Sequence, residues 1–419
     1  MSDVLNIYLR SELVGRLWLD QLRHFSFQYD ETWLSSGHSV PLSIALPLRV
    51  ESYTDDTARA FFSNLLPESE LRQIIARRLG LSEGNDFALL EAIGGECAGA
   101  VMLLPEDVPL SDTGEYRQLS DEALNELVRD LSRRPMLAGE AGIRLSLAGV
   151  QNKLPVRYDE GAHQFYLPEG NAASSHILKP PISHFASTVE NETFCMQLAN
   201  RMGLSVPEVT ILNKEQTLYL VRRYDRLLDT SDSIIRLHQE DFCQALGIAP
   251  DMKYEKEGGP SLKACLELVR NISMTPVKDI KALLRWVIYN YLIGNADAHG
   301  KNVSLLFRED GPVLAPFYDL MSSAVYPDLT ERMAMKIGGE DRPQWTMARH
   351  WAHFAEDIGV GYKIIHQNLQ EMSEKIVVES TSLQKVFFEQ QGECQIINDI
   401  IKVIEQRSNK ILARLDESE

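Results

Sequence analysis

Residues 291–302 read Tyr-Leu-Ile-Gly-Asn-Ala-Asp-Ala-His-Gly-Lys-Asn, a polar stretch around which the chain is organised. A long apolar segment runs into it, and a strand-like run, residues 303–307, leaves it. Asp297 and Asn302 stand five residues apart in a loop that is too polar to lie in a core. A second apolar run, residues 313–318, then leads to Asp319. Carboxylate and amide oxygens are the ligands that Mg²⁺ prefers, so the stretch predicts a site of phosphoryl transfer.

The segment before this loop predicts a buried helix. Thr275 and Pro276 form a helix start, with an N-cap residue followed by proline at the first helical position, and Gly294 is a suitable stop. Between them, apolar side chains cover nearly the whole circumference, as in a helix that is buried in a large core. The polar loop is therefore expected to follow a rigid, central helix.

The order of the polar residues is that of a protein-kinase-like site, in which a catalytic Asp precedes a metal-binding Asn and a metal-binding Asp. Asp297 would orient the attacking hydroxyl, while Asn302 and Asp319 would hold Mg²⁺. Upstream, Lys179 ends a short apolar run and Glu192 lies one turn into the next helix, which predicts an ion pair that holds the lysine on the nucleotide phosphates. The five-residue spacing alone is also typical of two solvated loop residues. The helix, the strand and the second acid together favour the catalytic interpretation.

Composition limits the other classes of function. The chain has 419 residues, which suits two or three domains, and its formal net charge of −18 argues against a protein that coats nucleic acid by itself. The five cysteines are scattered and form no C-x-x-C pair, which predicts neither a disulfide framework nor a zinc site. Three of them fall inside apolar helical patterns, which predicts buried free thiols there. The first residues lack a signal-peptide pattern and no apolar run reaches about 18 residues, so a cytoplasmic protein without a membrane span is expected.

Two regular regions flank a linker in the first half of the chain. Strands are predicted at residues 4–10, 13–19, 25–29 and 100–104, with helices at 55–66, 68–79 and 85–93. Residues 105–120 are rich in Pro, Asp, Ser and Gly and predict a linker. Further on, Ser187 and Glu190 predict a capping box at the start of the helix that carries Glu192. From residue 347 to the end, the pattern is helical.

Several of these stretches, in the same order along the chain, resemble the HipA family of toxin serine/threonine kinases from bacterial toxin–antitoxin systems. The resemblance covers about residues 1–325. The matching stretches are residues 61–68 (FFSNLLPE), 146–153 (SLAGVQNK), 176–179 (HILK), 189–192 (VENE), 253–255 (KYE), 258–260 (GGP), 294–302 (GNADAHGKN) and 316–319 (PFYD). Without the resemblance, residues 146–153 favour a hairpin turn over a phosphate-covering loop, because they contain a single glycine.

The resemblance implies an α+β, protein-kinase-like two-lobed fold that uses ATP and Mg²⁺. An N-terminal α+β subdomain would span residues 1–105, a small-lobe-like region with the phosphate loop 106–236, and a helical lobe with the catalytic loop 237–419. Asp297 would be the catalytic residue and Asn302 and Asp319 the metal ligands. The residues that would bind the cofactor, besides these two ligands, are Ala148, Gly149, Val150, Gln151, Asn152, Lys153, Lys179, Glu192, Arg222, Arg223, Tyr224, His299, Lys301 and Tyr318. For His299 and Lys301, ordinary loop polarity is the alternative.

The resemblance also implies a switch and partners. Ser146 takes the position of the family's autophosphorylated serine, where a phosphate would repel the nucleotide and inactivate the kinase. A small DNA-binding antitoxin of the HipB type would neutralise the toxin and supply most of the DNA contact. The family's best-known target class is an aminoacyl-tRNA synthetase, the glutamyl enzyme. The alternatives are a small-molecule or lipid kinase and a catalytically silent co-repressor scaffold.

Overall fold

The computed structural model describes residues 4–110, 114–140, 142–229 and 233–416. Helices and sheets are both abundant, so the predicted α+β class is confirmed. The chain divides into two compact units. The first comprises Met1–Pro180, Leu212–Asp251 and Leu306–Arg308, and the second Pro181–Ile211, Met252–Leu305 and Glu309–Glu419. Within the described residues, no helix is long and apolar enough to cross a membrane. The three-part domain division stays a prediction.

The first unit begins with an antiparallel sheet and four helices. The strands are β1 (Val4–Leu9), β2 (Glu12–Leu19), β3 (Phe25–Tyr29) and β4 (Val101–Pro105), in the order β3-β2-β1-β4. The helices are α1 (Glu31–Ser35), α2 (Asp55–Ser63), α3 (Ser69–Leu79) and α4 (Asp86–Ile93). Alternate strand residues are buried, and the ring of Phe27 packs edge-on against Phe62 of α2 at 5.5 Å. The predicted strands and helices are confirmed because each had a clear period of two or of 3.6 residues.

A second sheet in the same unit carries Lys179. Its strands β5 (Gly114–Leu119), β7 (Gln164–Gly170), β6 (Leu154–Asp159), β8 (His176–Lys179) and β10 (Thr217–Arg222) lie side by side in that order, and α5 spans Asp121–Asp130. The linker predicted for residues 105–120 is wrong at β5, while residues 111–113 lie outside the described part of the chain. A Cβ on Gly114, the first residue of β5, would lie 2.1 Å from the Ala172 nitrogen. The glycine therefore permits the close approach of two backbones.

The remaining elements are short. The boundary between the units falls within β9 (Val209–Asn213) and within β14 (Ser304–Arg308). The others are β11 (Arg226–Leu228), β12 (Ile234–Arg236), β13 (Gln239–Asp241), β15 (Gly311–Leu314) and α7 (Phe242–Ala245).

The second unit is mainly helical and is built around one buried helix. Its helices are α6 (Thr188–Arg201), α8 (Leu262–Ile272), α9 (Pro276–Ile293), α10 (Ala348–Asp357), α11 (Tyr362–Gln391) and α12 (Gln395–Asp416). Helix α9 packs against α8, α11 and α12. Pro276 is its first residue, and Gly294 ends it in the left-handed region at φ 77°, where the glycine nitrogen donates to the carbonyl of Tyr291. The predicted central helix and both of its ends are confirmed.

The capping box predicted for α6 is wrong. Ser187 has a left-handed backbone with φ 52° and makes no side-chain capping bond. The hydroxyl of Thr188 instead accepts a 3.0 Å hydrogen bond from the Ile182 nitrogen. The S-x-x-E pattern fails here because the backbone of Ser187 is left-handed and its side chain does not cap the first turn of the helix.

Candidate active site

Hydrogen bonds to buried side chains hold the main chain of the loop that follows α9, and the Asp297 side chain of this loop faces solvent. The Asp297 nitrogen donates to the side-chain oxygen of Asn295 at 3.0 Å, and the Asn295 amide donates to Asn290 of α9 at 2.8 Å. The preceding nitrogen, that of Ala296, donates to the Ser323 hydroxyl at 2.8 Å. The Asp297 side chain is 55% exposed. The backbone of this acid is thus held by buried amides while its carboxylate is accessible.

The five-residue spacing closes into a compact turn. The side-chain nitrogen of Asn302 donates to the main-chain carbonyl of Asp297 at 2.9 Å, and the Asn302 nitrogen donates to the carbonyl of His299 at 2.9 Å. Residues Gly300–Asn302 form one 3-10 turn. Because the amide nitrogen of Asn302 is engaged, its Oδ1 oxygen is the atom that remains to bind a cation. The structure therefore brings the two predicted residues into one loop.

Tyr254 is a residue of this site that the sequence did not predict. Its hydroxyl donates to Asp297 Oδ1 at 2.5 Å, and its ring meets the His299 ring edge-on at 5.2 Å. His299 Nε2 lies 3.9 Å from the same carboxylate oxygen. The stretch 253–255 stood out only as part of the family resemblance, because nothing local relates a tyrosine to an acid 43 residues later. The contact is a product of the tertiary fold.

The predicted metal ligand Asp319 follows Tyr318 in an unusual conformation. The Tyr318 hydroxyl donates to the Lys301 carbonyl at 2.6 Å and lies 2.7 Å from the Ser304 hydroxyl, which ties this segment to the loop that carries Asp297. Asp319 has a left-handed backbone with φ 56°. Such a conformation costs about 1–3 kcal/mol in a residue other than glycine and is concentrated at functional sites.

No group of three or more His, Cys, Asp or Glu side chains that could hold a metal occurs within residues 4–110, 114–140, 142–229 and 233–416. Mg²⁺ commonly binds through one or two protein oxygens together with water and substrate phosphates. The donor set of Asn302 and Asp319 fits that mode of binding.

In the first unit, Lys179 ends β8 inside the second sheet. It stands opposite Tyr219 of β10, and its ammonium nitrogen lies 5.3 Å from the centroid of that ring. The side chain is buried. In the second unit, Glu192 is a buried residue of α6. Both residues are buried, and their pairing stays a prediction.

Residues 146–153 do not form the hairpin turn that their pattern favours. Leu145 and Gly149 make isolated parallel bridges, to Glu96 and Pro67 respectively, so the segment lies along another part of the unit. Gly149 has φ 108°, and a Cβ on it would lie 2.8 Å from the Lys153 ammonium nitrogen. That nitrogen donates to the Ala148 carbonyl at 2.5 Å. The φ of Gly149 favours glycine at this position, because side chains of L-residues are strained there, whereas the flexible end of Lys153 could move away from a Cβ.

The other predicted loop residues differ in exposure. Val150 is 54% exposed, and the Gln151 amide donates to the Pro180 carbonyl at 3.1 Å. The Asn152 Oδ1 atom is buried and has no hydrogen-bond partner among the described residues. A buried acceptor without a donor is uncommon, and it suits a loop that closes over a ligand.

The predicted connector 222–224 lies beside a buried ion cluster. Arg223 donates to Glu96 at 3.1 Å and to Asp225 at 2.8 Å, and its side chain is 2% exposed. Arg226 and Arg236 complete the cluster, donating to Glu96 at 2.9 Å and 2.7 Å. Burial by itself would raise the pKa of Glu96, but the three guanidinium groups more than offset this and hold the pKa well below its usual value. The Arg223 side chain thus has a structural partner for each end of its guanidinium group.

The neighbours of Arg223 have different surroundings. Arg222 forms an ion pair with Glu160 at the surface, and the Tyr224 hydroxyl donates to the Gln239 side chain. Both contacts are made by side-chain atoms, while in the main chain the Arg223 nitrogen donates to the Ser175 carbonyl at 2.9 Å.

Two family models match the chain. Residues 5–104 match the HipA N-terminal domain, and residues 145–380 match the HipA-like C-terminal domain. The chain belongs to the HipA family. It is therefore a kinase of the HipA toxin family, as the sequence predicted. The region that matches the C-terminal model contains Ser146, Lys179, Asp297, Asn302 and Asp319.

HipA relatives match along most of the chain. The serine/threonine-protein kinase toxin HipA of Shewanella oneidensis is 33% identical over 385 residues, which cover 89% of this chain and 87% of that protein. Y4mE of Sinorhizobium fredii is 43% identical over 375 residues, covering 88% of this chain and 89% of its own. A solved structure of HipA from Shewanella oneidensis, in complex with HipB and its operator DNA, has a TM-score of 0.86 at 30% identity and covers 99% of this chain and 98% of that one. The predicted kinase-like HipA fold is confirmed.

Proposed function

We propose that this protein is a Mg²⁺- and ATP-dependent serine/threonine-protein kinase in which Asp297 orients the acceptor hydroxyl. The observation that carries the proposal is the 2.9 Å hydrogen bond from the Asn302 side chain to the Asp297 carbonyl. It fixes the spacing between an exposed carboxylate and an amide oxygen that can bind a cation. Phosphoryl transfer asks mainly for positioning and charge stabilisation, which such a rigid loop supplies.

Each residue of the loop then has one task. The Asp297 carboxylate accepts a hydrogen bond from the attacking hydroxyl and so directs its oxygen toward the γ-phosphate. Asn302 Oδ1 and the Asp319 carboxylate would hold Mg²⁺. When bound, the ion neutralises negative charge on the phosphate oxygens.

The nucleotide is held by residues whose types suit phosphate and ribose. Lys179 is the proposed cation for the phosphate charge, and its pairing with Glu192 stays a prediction. The loop residues Ala148, Gly149, Val150, Gln151, Asn152 and Lys153 cover the phosphates, and His299, Lys301 and Tyr318 line the catalytic side. We propose that Arg222, Arg223 and Tyr224 contact the nucleotide through their main chain, since the Arg223 side chain belongs to the buried ion cluster.

Ser146 is the proposed site of self-phosphorylation, and its burial sets a condition. The residue is fully buried, and its nitrogen donates to the Glu96 carbonyl at 2.9 Å. The segment must detach from Glu96 and from Glu68, whose nitrogen donates to the Gly149 carbonyl, before the hydroxyl can receive a phosphate. A phosphate would then prevent the loop from returning, which inactivates the kinase.

The proposed partners follow from the relatives. The matching Shewanella oneidensis structure contains HipB and operator DNA, so we propose a HipB-type antitoxin that neutralises this chain and contacts DNA in its place. The net charge of −18 supports that division of labour. A protein of the translation machinery is the proposed substrate, with an aminoacyl-tRNA synthetase, the glutamyl enzyme, as the first to test.

The test is incubation with Mg²⁺ and γ-labelled ATP. Wild type should label itself, Ser146→Ala should lose that label, and Asp297→Ala should transfer no phosphate to any protein. Loss of Asp297 is expected to lower the rate by a factor of about 10² or more. Undiminished labelling by Asp297→Ala would contradict the assignment, and labelling of a lipid or metabolite alone would favour a small-molecule kinase.

A further inference from the structure

The Asp297 carboxylate is held on one side only. The Tyr254 hydroxyl donates to Oδ1 at 2.5 Å, and among the described residues this is the one hydrogen bond that the carboxylate receives. The side chain is 55% exposed, so without this contact it would be free to exchange rotamers in solvent. Oδ2 receives no hydrogen bond from the described residues and is left for an acceptor hydroxyl.

Tyr254 itself is held rigidly relative to the catalytic loop. The nitrogen of Glu255 donates to the Ala334 carbonyl at 3.1 Å, and the nitrogen of Ala334 donates to the Ala296 carbonyl at 2.9 Å. One residue therefore ties the neighbour of Tyr254 to the neighbour of Asp297. The turn that follows is compact, because the Gly259 nitrogen returns to the Tyr254 carbonyl at 2.9 Å.

The turn also leaves no room for relaxation. A Cβ on Gly259 would lie 2.3 Å from the Met252 carbonyl oxygen, so the backbone must pass closely over itself. Gly258 next to it has φ 101°, in the left-handed region that glycine tolerates. The backbone that follows Tyr254 is therefore tightly constrained.

We propose that Tyr254 is a positioning residue for phosphoryl transfer. Its hydroxyl fixes Asp297 Oδ1 and thereby directs Oδ2 at the acceptor hydroxyl. The inference rests on the proposed catalytic role of Asp297 and adds a residue that acts only through it. Holding a charged group in its reactive geometry before the substrate arrives lowers the barrier, because no reorganisation is needed during the reaction.

The opposite role, a phenol that blocks the carboxylate until a substrate displaces it, predicts the opposite sign. Removing a blocking hydroxyl would speed the reaction, while removing a positioning hydroxyl slows it. Tyr254→Phe separates the two because it deletes only the oxygen. The ring keeps its contact with His299 and its place beneath the ammonium groups of Lys253 and Lys256, 5.5 Å and 5.7 Å from its centroid.

The experiment measures single-turnover phosphate transfer from labelled ATP to the chain itself, together with ATP affinity by a fluorescent nucleotide. Tyr254→Phe should lower the transfer rate about tenfold or more, because the charged Asp297 carboxylate loses a hydrogen bond. ATP affinity should stay within about twofold, because the lost hydrogen bond is to Asp297 and not to the nucleotide. Tyr362→Phe is the matched control, because the Tyr362 hydroxyl is buried without a hydrogen-bond partner among the described residues. A faster or unchanged Tyr254→Phe enzyme overturns the inference.

A second background keeps this outcome separate from the proposed function. In Asp297→Asn, adding Tyr254→Phe should change nothing further, because the group that it positions is gone. If Asp297→Asn transfers phosphate as well as wild type, both the proposed function and the inference fail. If Asp297→Asn is inactive and Tyr254→Phe is as fast as wild type, only the inference fails. Thermal melting of each variant verifies that it is folded.

Discussion

The Ser146 hydroxyl donates a 2.8 Å hydrogen bond to the main-chain carbonyl of Leu65, 81 residues earlier in the chain. The serine is fully buried there. A phosphate on this oxygen would carry about −1.5 to −2 charges and could not remain beside a carbonyl oxygen in a dry site. The packed state of this segment and a phosphorylated Ser146 therefore exclude each other.

The first prediction concerns this exclusion. Ser146→Asp places a charge in the same position, so the segment 146–153 should detach and become sensitive to limited proteolysis. Ser146→Ala should keep the segment packed and lower the free energy of unfolding by only about 1 kcal/mol, the usual net worth of one hydrogen bond. Ser132→Asp, at an exposed serine, is the control. Equal protease resistance of Ser146→Asp and wild type would argue against the detachment.

The second prediction concerns the buried ion cluster. Glu96→Gln leaves Arg223, Arg226 and Arg236 with Asp225 as the one remaining carboxylate of the cluster, so unfolding by denaturant should show a loss of about 3–5 kcal/mol. Because the pKa of Glu96 is held far below 4.5, its contribution is full above pH 4.5 and is lost as the pH falls below that value. Glu115→Gln, on the exposed strand β5, should change stability by less than about 0.5 kcal/mol. A Glu96→Gln protein as stable as that control would show that the cluster is not stabilising.

The third prediction concerns the change in stability between pH 4.5 and about pH 8. Burial raises the pKa of Glu240 from 4.5 to about 8, and hydrogen bonds from Ser43 and the Ile44 nitrogen only partly oppose this. The folded protein thus holds a proton that the unfolded chain releases, so the stability from this group is full below pH 4.5 and declines as the pH rises to about 8. The slope is at most about 1.4 kcal/mol per pH unit for one proton.

Glu240→Gln tests this directly, since the amide resembles the protonated acid. Melting temperatures of wild type should fall between pH 5 and pH 8 more steeply than those of the variant. Parallel curves would mean that Glu240 is already ionised in the folded protein.

The fourth prediction concerns the end of α9. Gly294 has φ 77°, and a Cβ there would lie 2.7 Å from Ala324 and 2.9 Å from Val403. Gly294→Ala should therefore cost about 2–4 kcal/mol in unfolding free energy, from backbone strain and overpacking together. It should also reduce phosphate transfer, because the displaced helix end carries Asp297. Gly361→Ala, where a Cβ meets open space at an ordinary φ, should be nearly neutral, and similar losses in both variants would refute the steric argument.

The sequence predicted well wherever the signal was local. Helix α9 and its two ends were predicted correctly because proline, glycine and an apolar run each act within a few residues of where they stand. The turn from Asp297 to Asn302 was predicted as one loop for the same reason. In contrast, Ser187 met every requirement of a capping residue, yet the left-handed entry into α6 removed its function.

The relationships that the sequence did not predict are those between distant segments. Tyr254 reaches Asp297 across 43 residues, and Glu96 reaches Arg223 across 127. A polar residue taken alone does not reveal which distant group will satisfy it. Strand β5 was missed because its glycine and its polar residues resemble a loop until the neighbouring strand is known.

Glu96 belongs to the region that matches the HipA N-terminal model, while Arg223, Arg226 and Arg236 belong to the region that matches the C-terminal one. If the C-terminal region were separated from the N-terminal region, its three buried guanidinium groups would keep only the carboxylate of Asp225 as a partner in this cluster. The N-terminal region thus supplies the carboxylate that neutralises the arginines of the C-terminal region. It cannot be replaced by an N-terminal region that lacks this acid. Chimeras between relatives should fold only when the acid and its three arginines come from a compatible pair.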